Sequence, residues 1–307
     1  MFELVFLGTS ASAPSIYRNL PAIVVKHDDV RLMIDCGEGT QRQILQSGIG
    51  FKKLNRILIT HGHLDHILGL AGLLSTFIHW ESIDKLEIYA GKSPLERIHD
   101  LIYKVVLRGQ EPPMYLNLIP IISGTIIRES DFRVSAFPVL HRGPDNFGFL
   151  FEEDGRRPFL AEKAEALGIP NGPLRRDLVQ GKSISLADGR VIHPEEVLGD
   201  FKPGTRLAVV GDVGDTRPLV DFVRGVDALV CEATYLLEEA EMASVYGHLT
   251  AQRAAQLALD AGVKQLILTH VSRRYREKDI LDEAQAVFPN TLLARDFDTF
   301  QIRPIDE

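Results

Sequence analysis

The chain has 307 residues, of which 45% are hydrophobic and 25% charged, a balance that is ordinary for a globular protein with a sizeable core. Its net charge of −8 at pH 7 argues against broad, non-specific adhesion to nucleic acid, so a polyanionic substrate would need a local basic patch. No apolar run approaches the roughly 20 residues that cross a bilayer, so we expect no membrane contact. Residues 1–7 contain an acid and no base, which predicts a strand rather than a signal peptide.

Short apolar runs rich in Val, Ile and Leu recur along the chain and predict buried strands. These runs are residues 22–25, 31–34, 56–59, 86–89, 206–210, 228–230 and 265–268. Amphipathic stretches with helical spacing lie between them, at 38–46, 67–78, 94–107, 216–224 and 250–261. Strands that alternate with helices predict an α/β layered fold, in which two sheets are covered by helices on their outer faces.

One segment departs from this pattern. Between about residues 152 and 204 glycine and proline are frequent and apolar periodicity is weak. A structureless loop of this length is rare inside a compact domain unless it is functional or disordered. We therefore predict a single domain over residues 1–307, interrupted at about 152–204 by an insertion that projects from the fold as an arm.

Cys36 and Cys231 each follow or end an apolar run, which favours buried free thiols over a disulfide. A reducing compartment, and hence a cytoplasmic location, is the expectation.

Four potential metal ligands lie within six residues, directly after the strand predicted at 56–59. They belong to the sequence Thr60-His61-Gly62-His63-Leu64-Asp65-His66. Zinc accepts imidazole nitrogen and carboxylate oxygen, and a catalytic zinc site leaves one position for water. A histidine-rich surface loop without metal is the simpler interpretation, but this density of ligands disfavours it.

Three further ligand-type residues, His141, Asp212 and His270, each stand at the end of an apolar strand. Strand ends at one edge of a layered sheet converge on a shared crevice, where α/β sites usually form. Alone, each histidine would more often be a capping or core residue, and Asp212 a helix N-cap. Together with the loop they complete two coordination sets, so we predict a metal site.

These motifs resemble those of the metallo-β-lactamase fold superfamily. Within it, Gly8-Thr9-Ser10, the segment 35–43 (DCGEGTQRQ), Glu232-Ala233-Thr234, and His248 with Thr250 resemble the ribonuclease Z family. Gly172-Pro173 and Gly181 resemble the tip of that family's tRNA-binding arm. The resemblance covers almost the whole chain, and it implies a four-layer αββα sandwich with a projecting Gly/Pro-rich arm.

The resemblance also implies two zinc ions per subunit and no organic cofactor. One ion would be held by His61, His63 and His141, the other by Asp65, His66 and His270, with Asp212 bridging. A hydroxide would be the nucleophile, and a paired metal site suits a phosphodiester because it clamps both the attacking and the leaving oxygen.

Three residues receive catalytic roles. Asp65 is expected to orient the hydroxide or accept its proton. Glu232 and His248 are expected to form a relay that protonates the leaving oxygen, with the carboxylate fixing the tautomer of the ring. The alternative is structural, with Glu232 capping backbone amides and His248 merely preceding a helix.

Substrate contacts are expected at two places. The arm tip is basic and glycine-rich, which suits the phosphate backbone of a structured RNA; its residues are Gly172, Pro173, Arg175, Arg176 and Lys182. The cleft would add Arg18, Asn19, Thr250 and Arg273. Two positions depart from the family pattern, since Ile16 stands where a lysine is frequent and Leu249 where a serine is typical.

The resemblance thus implies a homodimeric zinc endoribonuclease that cuts precursor tRNA after the discriminator base and leaves a tRNA 3′-hydroxyl. One alternative keeps the metals but hydrolyses small phosphodiesters, thioesters or lactams. Another is a catalytically silent RNA-binding module, which would have no physical need for seven converging ligands.

Overall fold

The computed structural model describes residues 1–80 and 83–304. Two compact units divide the chain: one comprises Met1–Glu152 with Thr205–Glu307, the other Glu153–Gly204. The strands are β1 (Phe2–Gly8), β2 (Ala22–His27), β3 (Val30–Ile34), β4 (Arg56–Leu58), β5 (Lys85–Ala90), β6 (Tyr115–Pro120), β7 (Gly124–Arg128), β8 (Phe132–Pro138), β9 (Phe147–Glu153), β10 (Ile184–Ser185), β11 (Val191–Ile192), β12 (Arg206–Val209), β13 (Ala228–Ala233), β14 (Leu266–Val271), β15 (Thr291–Leu293) and β16 (Thr299–Ile302).

The α-helices are α1 (Thr40–Ser47), α2 (Leu64–Ile67), α3 (Gly69–Trp80), α4 (Lys92–His99), α5 (Ala161–Ala166), α6 (Pro173–Val179), α7 (Pro194–Val197), α8 (Ala240–Tyr246), α9 (Ala251–Asp260) and α10 (Glu277–Gln285). A π-helix, Asp100–Val106, directly continues α4, and 3₁₀ turns occur at Arg217–Leu219 and Leu237–Glu239. None of these helices is long and apolar enough to span a bilayer.

Two mixed seven-stranded sheets form the larger unit. The first has the order β16-β1-β2-β3-β4-β5-β6, with antiparallel pairing from β16 to β3 and parallel pairing from β3 to β6. The second has the order β15-β14-β13-β12-β9-β8-β7, with β12 to β15 parallel and β9 antiparallel to β12. Parallel neighbours bring their carboxyl ends to one edge, and the candidate ligands lie there.

The alternation of side chains along β1 shows how the layers pack. Phe2 faces the second sheet, where its ring lies 5.7 Å from that of Phe132 and 5.8 Å from that of Phe151. Leu7, on the opposite face, belongs to a cluster that includes Phe77 of α3. Because successive residues of a strand point to opposite faces, one strand serves both the inter-sheet core and the helix layer.

Helix α9 covers the outer face of the second sheet through a third buried cluster that joins Leu257 to Leu229 of β13. The molecule therefore has helices outside two stacked sheets, and the predicted α/β fold with two helix-flanked sheets is confirmed.

The prediction of a helix at 216–224 is wrong. Only the 3₁₀ turn Arg217–Leu219 forms there, followed by turns. Leu219, Val223 and Val226 are nevertheless buried in one cluster. A series of turns therefore buries the same apolar side chains that a helix with this spacing would have buried. Pro218 also removes a backbone donor that a continuous helix would need.

The smaller unit has secondary structure of its own, comprising α5, α6, α7 and the antiparallel hairpin β10–β11. Its apolar side chains form a separate buried cluster made of Ala164, Ile169, Leu178, Ile184, Ile192 and Val197. The weak periodicity of this segment reflects helices too short to show a repeating pattern.

Candidate metal centre and catalytic cleft

The ligand-rich loop connects β4 to α2 in the first sheet. His61 and His63 lie in the loop, and His63 is the extended residue immediately before α2. Asp65 and His66 occupy the first turn of that helix. Extended backbone up to His63 followed by helix explains how four closely spaced side chains can serve two neighbouring positions.

The second sheet contributes the remaining ligand-type residues. His141 follows β8 and Asp212 follows β12, as the strand-end pattern predicts. His270 lies inside β14, one residue before its end. All three residues, together with the loop of the first sheet, meet in one cleft.

A β-bulge sets the orientation of the His270 side chain. In the β13–β14 register Glu232 pairs with Thr269 and Ala233 with Val271, so His270 is the extra residue. Its φ of +53° is a left-handed conformation that a non-glycine residue adopts only at a cost. The bulge turns an imidazole that regular strand geometry would direct elsewhere.

Three histidines and one aspartate form the first ligand set. His63 Nδ1 lies 3.0 Å from His61 Nε2 and 3.3 Å from His141 Nε2. The Oδ2 atom of Asp212 lies 3.5 Å from His61 Nε2 and 3.8 Å from His141 Nε2.

The second set contains Asp65, His66 and His270, and Asp212 lies next to two of its members. Asp65 Oδ2 lies 3.7 Å from His66 Nε2 and 3.6 Å from His270 Nε2. Asp212 Oδ1 lies 3.5 and 3.3 Å from the same two nitrogens. Asp212 therefore offers one carboxylate oxygen to each set.

Several of these atoms are buried without a hydrogen-bond partner in the described part of the chain. They are His66 Nε2, His270 Nε2 and Asp212 Oδ1. Burying a polar atom without a partner is costly, and lone pairs of imidazole and carboxylate that face one another repel. A divalent cation between them would satisfy all three atoms, so the donor set fits a metal.

Asp35 holds two residues near the ligand-rich loop by hydrogen bonds. His66 Nδ1 donates to Asp35 Oδ2 at 2.8 Å, and the Thr60 hydroxyl donates to the same oxygen, also at 2.8 Å. The Thr60 oxygen lies 3.0 Å from His61 Nδ1 and can accept its proton. Both histidines are thereby held with the proton on Nδ1 and with Nε2 directed at the ligand set.

Glu232 has the same arrangement in the second sheet. Its fully buried carboxylate accepts from the Thr234 hydroxyl and from His248 Nδ1, which lies 3.0 Å from Oε1. Thr234 Oγ1 lies 3.0 Å from His270 Nδ1. Glu232 also accepts the backbone amide of Val213 at 2.8 Å, so it both caps backbone and contacts His248.

His141 is oriented by backbone. Its Nδ1 donates to the carbonyl of Gly247 at 2.7 Å, which leaves Nε2 for the first ligand set. Gly247 ends α8 with a φ of +71°, and His248 follows it directly.

Burial lowers the pKa of His61, His63 and His141, so these rings are neutral at physiological pH. Neutral imidazole is the form that binds a metal.

His66 and His248 behave differently. Burial alone would lower the pKa of His66, but the charges of Asp212 and Asp35 outweigh it and raise that pKa well above its ordinary value. The carboxylates thus favour positive charge at this point, which a metal ion supplies as well as a proton does. For His248 burial again opposes protonation, while Glu232 raises the pKa to about 9.

Two predicted substrate residues near the chain start already have protein partners. The Arg18 guanidinium, 10% exposed, lies 2.6 Å from a Glu277 oxygen and donates to Thr9 Oγ1. The Asn19 amide donates to the Glu38 carbonyl at 2.8 Å. A phosphate contact by Arg18 would have to displace these bonds.

Thr250 and Arg273 are placed in contrasting ways. Thr250 is buried and caps α9, because its hydroxyl accepts the backbone amide of Arg253. Arg273 is exposed and has no ion pair among the described residues, so its guanidinium is accessible.

Within the smaller unit, Gly172 precedes α6 with a φ of +128°, and Pro173 is the first residue of that helix. A Cβ added at Gly172 would meet nothing within 4 Å, so backbone geometry rather than crowding selects glycine here.

The three basic residues of the arm tip differ in availability. Arg175 donates to the Ile169 carbonyl at 2.9 Å and lies over the Phe159 ring, which makes it part of the unit's own packing. Arg176 is exposed, and Lys182 is 3.8 Å from Asp177.

The candidate site opens into a cavity of about 330 Å³. Arg274 also lines it, and so do Ser12, Arg142 and Tyr246, which the sequence analysis did not identify. Proximity of Arg142 to His141 and of Tyr246 to His248 in the chain was the only signal available.

Comparison with known proteins gives three kinds of match. A family model described as anti-Pycsar protein Apyc1 matches residues 2–161, just over half of the chain. A ribonuclease Z of Bradyrhizobium diazoefficiens is 46% identical over 298 residues, which cover 97% of this chain and 99% of that protein.

Solved structures agree. The crystal structure of human tRNase Z, short form, matches with a TM-score of 0.67 and 27% identity, covering 99% of this chain and 100% of the human one. The metallo-β-lactamase fold protein YhfI of Bacillus subtilis, at 14% identity and a TM-score of 0.68, shares the fold over 97% of this chain and 98% of its own.

Proposed function

Because the chain belongs to the ribonuclease Z family of tRNA 3′-processing endoribonucleases, we propose that it removes 3′ trailers from precursor tRNA with two zinc ions bound in its cleft. Cleavage would follow the discriminator base and leave a 3′-hydroxyl on the tRNA. One observation supports this proposal above the others. Asp212 offers one oxygen to each of two ligand sets, in a chain of which 97% aligns with a ribonuclease Z. The Apyc1 model also places the first half of the chain in its family, but it ends before Asp212, Glu232, His248 and His270.

The residues that would hold the metals follow from the two sets. His61, His63 and His141 would bind one ion, Asp65, His66 and His270 the other, and Asp212 would bridge them. When bound, zinc ions at such a site lower the pKa of water and offset the negative charge of a phosphodiester.

Asp65 would act as proton acceptor for the attacking water. Its Oδ2 atom lies between the second ligand set and the loop at Ser12, whose backbone amide donates to it at 3.2 Å. That amide holds Oδ2 and leaves the other carboxylate oxygen, Oδ1, for the water.

His248 would protonate the leaving oxygen. A ring whose pKa is about 9 carries a proton at neutral pH, and the Glu232 carboxylate holds that ring by Nδ1. Nε2 is therefore the donor atom. The arrangement suits the reaction because the departing 3′-oxygen of the tRNA needs a proton that water would deliver slowly.

The smaller unit would bind the RNA backbone of the substrate. Its Gly172-Pro173 turn and the exposed Arg176 and Lys182 are suited to the RNA backbone. The division of the chain into a domain over 1–307 with an arm at about 152–204 belongs to this proposal.

The proposal has three further parts. The partner is precursor tRNA, and the protein is a homodimer in which the arm of one subunit binds tRNA for the cleft of the other. Its location is cytoplasmic. The buried free thiols Cys36 and Cys231 agree with a reducing compartment. The dimer rests on family resemblance.

The direct test is product mapping. Purified zinc-loaded protein should convert a precursor tRNA with a 3′ trailer into tRNA ending at the discriminator base with a 3′-hydroxyl. The variant His248→Asn should bind the same RNA but cleave it at least about 10²-fold more slowly, the usual contribution of a positioned proton donor. Hydrolysis of a small chromogenic phosphodiester with the precursor left intact would refute the proposed function.

Metal analysis tests the cofactor separately. Removal of metal by a chelator should abolish cleavage and lower the melting temperature, and about two equivalents of zinc per chain should restore both. Full restoration by one equivalent would contradict the paired site.

Arg176 and Arg175 provide a matched test of the arm. Arg176→Ala should weaken binding of precursor tRNA and reduce the salt dependence of binding, while the melting temperature stays unchanged. Arg175→Ala should instead destabilise the smaller unit, because it removes the bond to Ile169. Unchanged tRNA affinity in Arg176→Ala would exclude Arg176 from the interface.

A further inference from the structure

An exposed aromatic ring lines the cleft next to the proposed proton donor. Tyr246, the last residue of α8, is 45% exposed and lines the same cavity as His248 and Asp65. Its hydroxyl makes no hydrogen bond within residues 1–80 and 83–304. Apolar surface left open beside a catalytic centre is available to a flat partner.

A cation accompanies this ring. The guanidinium of Arg142 lies over Tyr246, 5.8 Å from the ring centroid, and it too lines the cavity. Arg274, the other arginine there, is tied to Glu239 at 3.2 Å, whereas no carboxylate in the described ranges pairs with Arg142. Arg142 therefore retains its donors for an anionic ligand.

The backbone fixes the ring relative to the reacting groups. Gly247, the next residue, accepts a hydrogen bond from His141, and His248 follows it. The ring is therefore two residues from the proposed proton donor and one from the carbonyl that orients a proposed metal ligand. Because Tyr246 lines the same cavity as His248 and Asp65, a group bound on its ring would lie near the reacting groups.

We propose that Tyr246 is a stacking platform for the base of a nucleotide adjacent to the scissile phosphodiester, and that Arg142 holds the ring and pairs with a neighbouring phosphate. Single-stranded RNA is bound by stacking of bases on aromatic side chains with cations at the backbone. The inference rests on the proposed function, because it takes RNA as the ligand. A stacked base would add binding energy that a protein with a net charge of −8 does not obtain from its overall charge.

Substitution of the ring tests the platform. Tyr246→Ala should lower the ratio of kcat/KM on precursor tRNA to kcat/KM on a small chromogenic phosphodiester by about 5- to 150-fold, the usual contribution of one stacked base. Tyr246→Phe keeps the ring and should restore that ratio. Tyr115→Ala is the matched control, because Tyr115 also lies under a cation, Lys85, at 5.8 Å but does not line the cleft. It should leave the ratio unchanged, and melting curves would verify that each variant is folded.

An abasic nucleotide shows whether the partner is a base. Precursors that lack the base on one or the other side of the scissile phosphate should bind wild-type protein more weakly at the contacted position. Tyr246→Ala should not distinguish the intact precursor from the one abasic at that position, in fluorescence binding assays as well as in cleavage.

Equal sensitivity of wild type and Tyr246→Ala at both positions would overturn the platform. So would an equal loss by Tyr246→Ala on RNA and on the small phosphodiester. These results differ from failure of the proposed function, in which the wild-type protein itself leaves the precursor uncut.

Discussion

Two threonine hydroxyls, Thr60 and Thr234, perform the same task on opposite sides of the cleft. Each lies about midway between a histidine ring and a buried carboxylate, Asp35 or Glu232. The carboxylate also holds a second histidine directly. One buried carboxylate on each side therefore orients two imidazoles. It contacts the first ring directly, and the threonine hydroxyl connects it to the second ring by hydrogen bonds.

Replacing Thr234 by valine should weaken metal binding. Valine has nearly the same shape, so the loss is confined to the hydroxyl that accepts from His270 and donates to Glu232. Partners of metal ligands contribute about 10- to 100-fold in affinity, and we expect a decrease of that size. Zinc titration against a competing chelator measures it.

The control for this variant is Thr269→Val, a neighbouring position in β14 whose hydroxyl has no hydrogen bond in the described ranges. If both variants bound zinc as the wild type does, Thr234 would have no positioning role.

Residue His27 gives a pH-dependent prediction away from the cleft. Its ring packs 5.1 Å from Phe2 and 4.8 Å from Phe132, and burial lowers its pKa below 6.5 although Asp131 and Asp28 oppose the shift. Between the folded and unfolded pKa values the unfolded chain binds more protons, so stability declines as pH falls below about 6.5.

The variant His27→Phe should show a shallower decline in the free energy of unfolding over this pH range. Denaturant unfolding of metal-loaded protein at several pH values would measure the difference, because the cleft histidines contribute equally to both proteins. Parallel pH profiles of wild type and variant would contradict the assignment.

At the scale of elements, the end of α8 joins several parts of the site. Gly247 has a left-handed φ, orients His141 through its carbonyl, and precedes His248. A Cβ at Gly247 would approach His141 Nδ1 to 3.3 Å and Arg142 Cγ to 3.2 Å. Helix termination and ligand orientation thus depend on the same residue.

Gly247→Ala should lower both stability and activity. The left-handed backbone costs an alanine about 1–2 kcal/mol, and crowding at His141 should reduce zinc affinity and cleavage in addition. Gly262→Ala is a matched control, since Gly262 has a φ of +62° and nothing within 4 Å of an added Cβ. It should lose similar stability but keep zinc affinity and activity. Equal activities of the two variants would contradict the role of Gly247.

At the scale of the whole molecule, the proposed dimer makes a prediction about mixed subunits. A variant with an impaired arm, Arg176→Ala with Lys182→Ala, and a variant with an impaired site, His248→Asn, should each be poorly active. If the arm serves the cleft of the other subunit, exchange of subunits between them should restore about a quarter of wild-type activity, from the mixed dimers.

Sedimentation of the mixture would verify that dimers form and exchange. An active monomer, or exchange without any recovery of activity, would refute action of the arm on the partner.

Sequence determined the layered α/β class, because strand-length apolar runs and helical spacing are local properties of the chain. It also identified the cluster at His61–His66, since four ligands within six residues need no tertiary information. Predicting the helix at 216–224 failed because burial of Leu219, Val223 and Val226 can be achieved by turns, and local spacing does not distinguish the two.

Only the tertiary structure decided how distant residues meet. The bulge that turns His270 depends on the register between β13 and β14, and the Thr60 and Thr234 hydroxyls gain their partners from other strands. The stacking pair Tyr246 and Arg142 is separated by 104 positions in sequence and joined by a ring contact. Such contacts depend on register and packing between strands and helices, which residue spacing along a single chain does not encode.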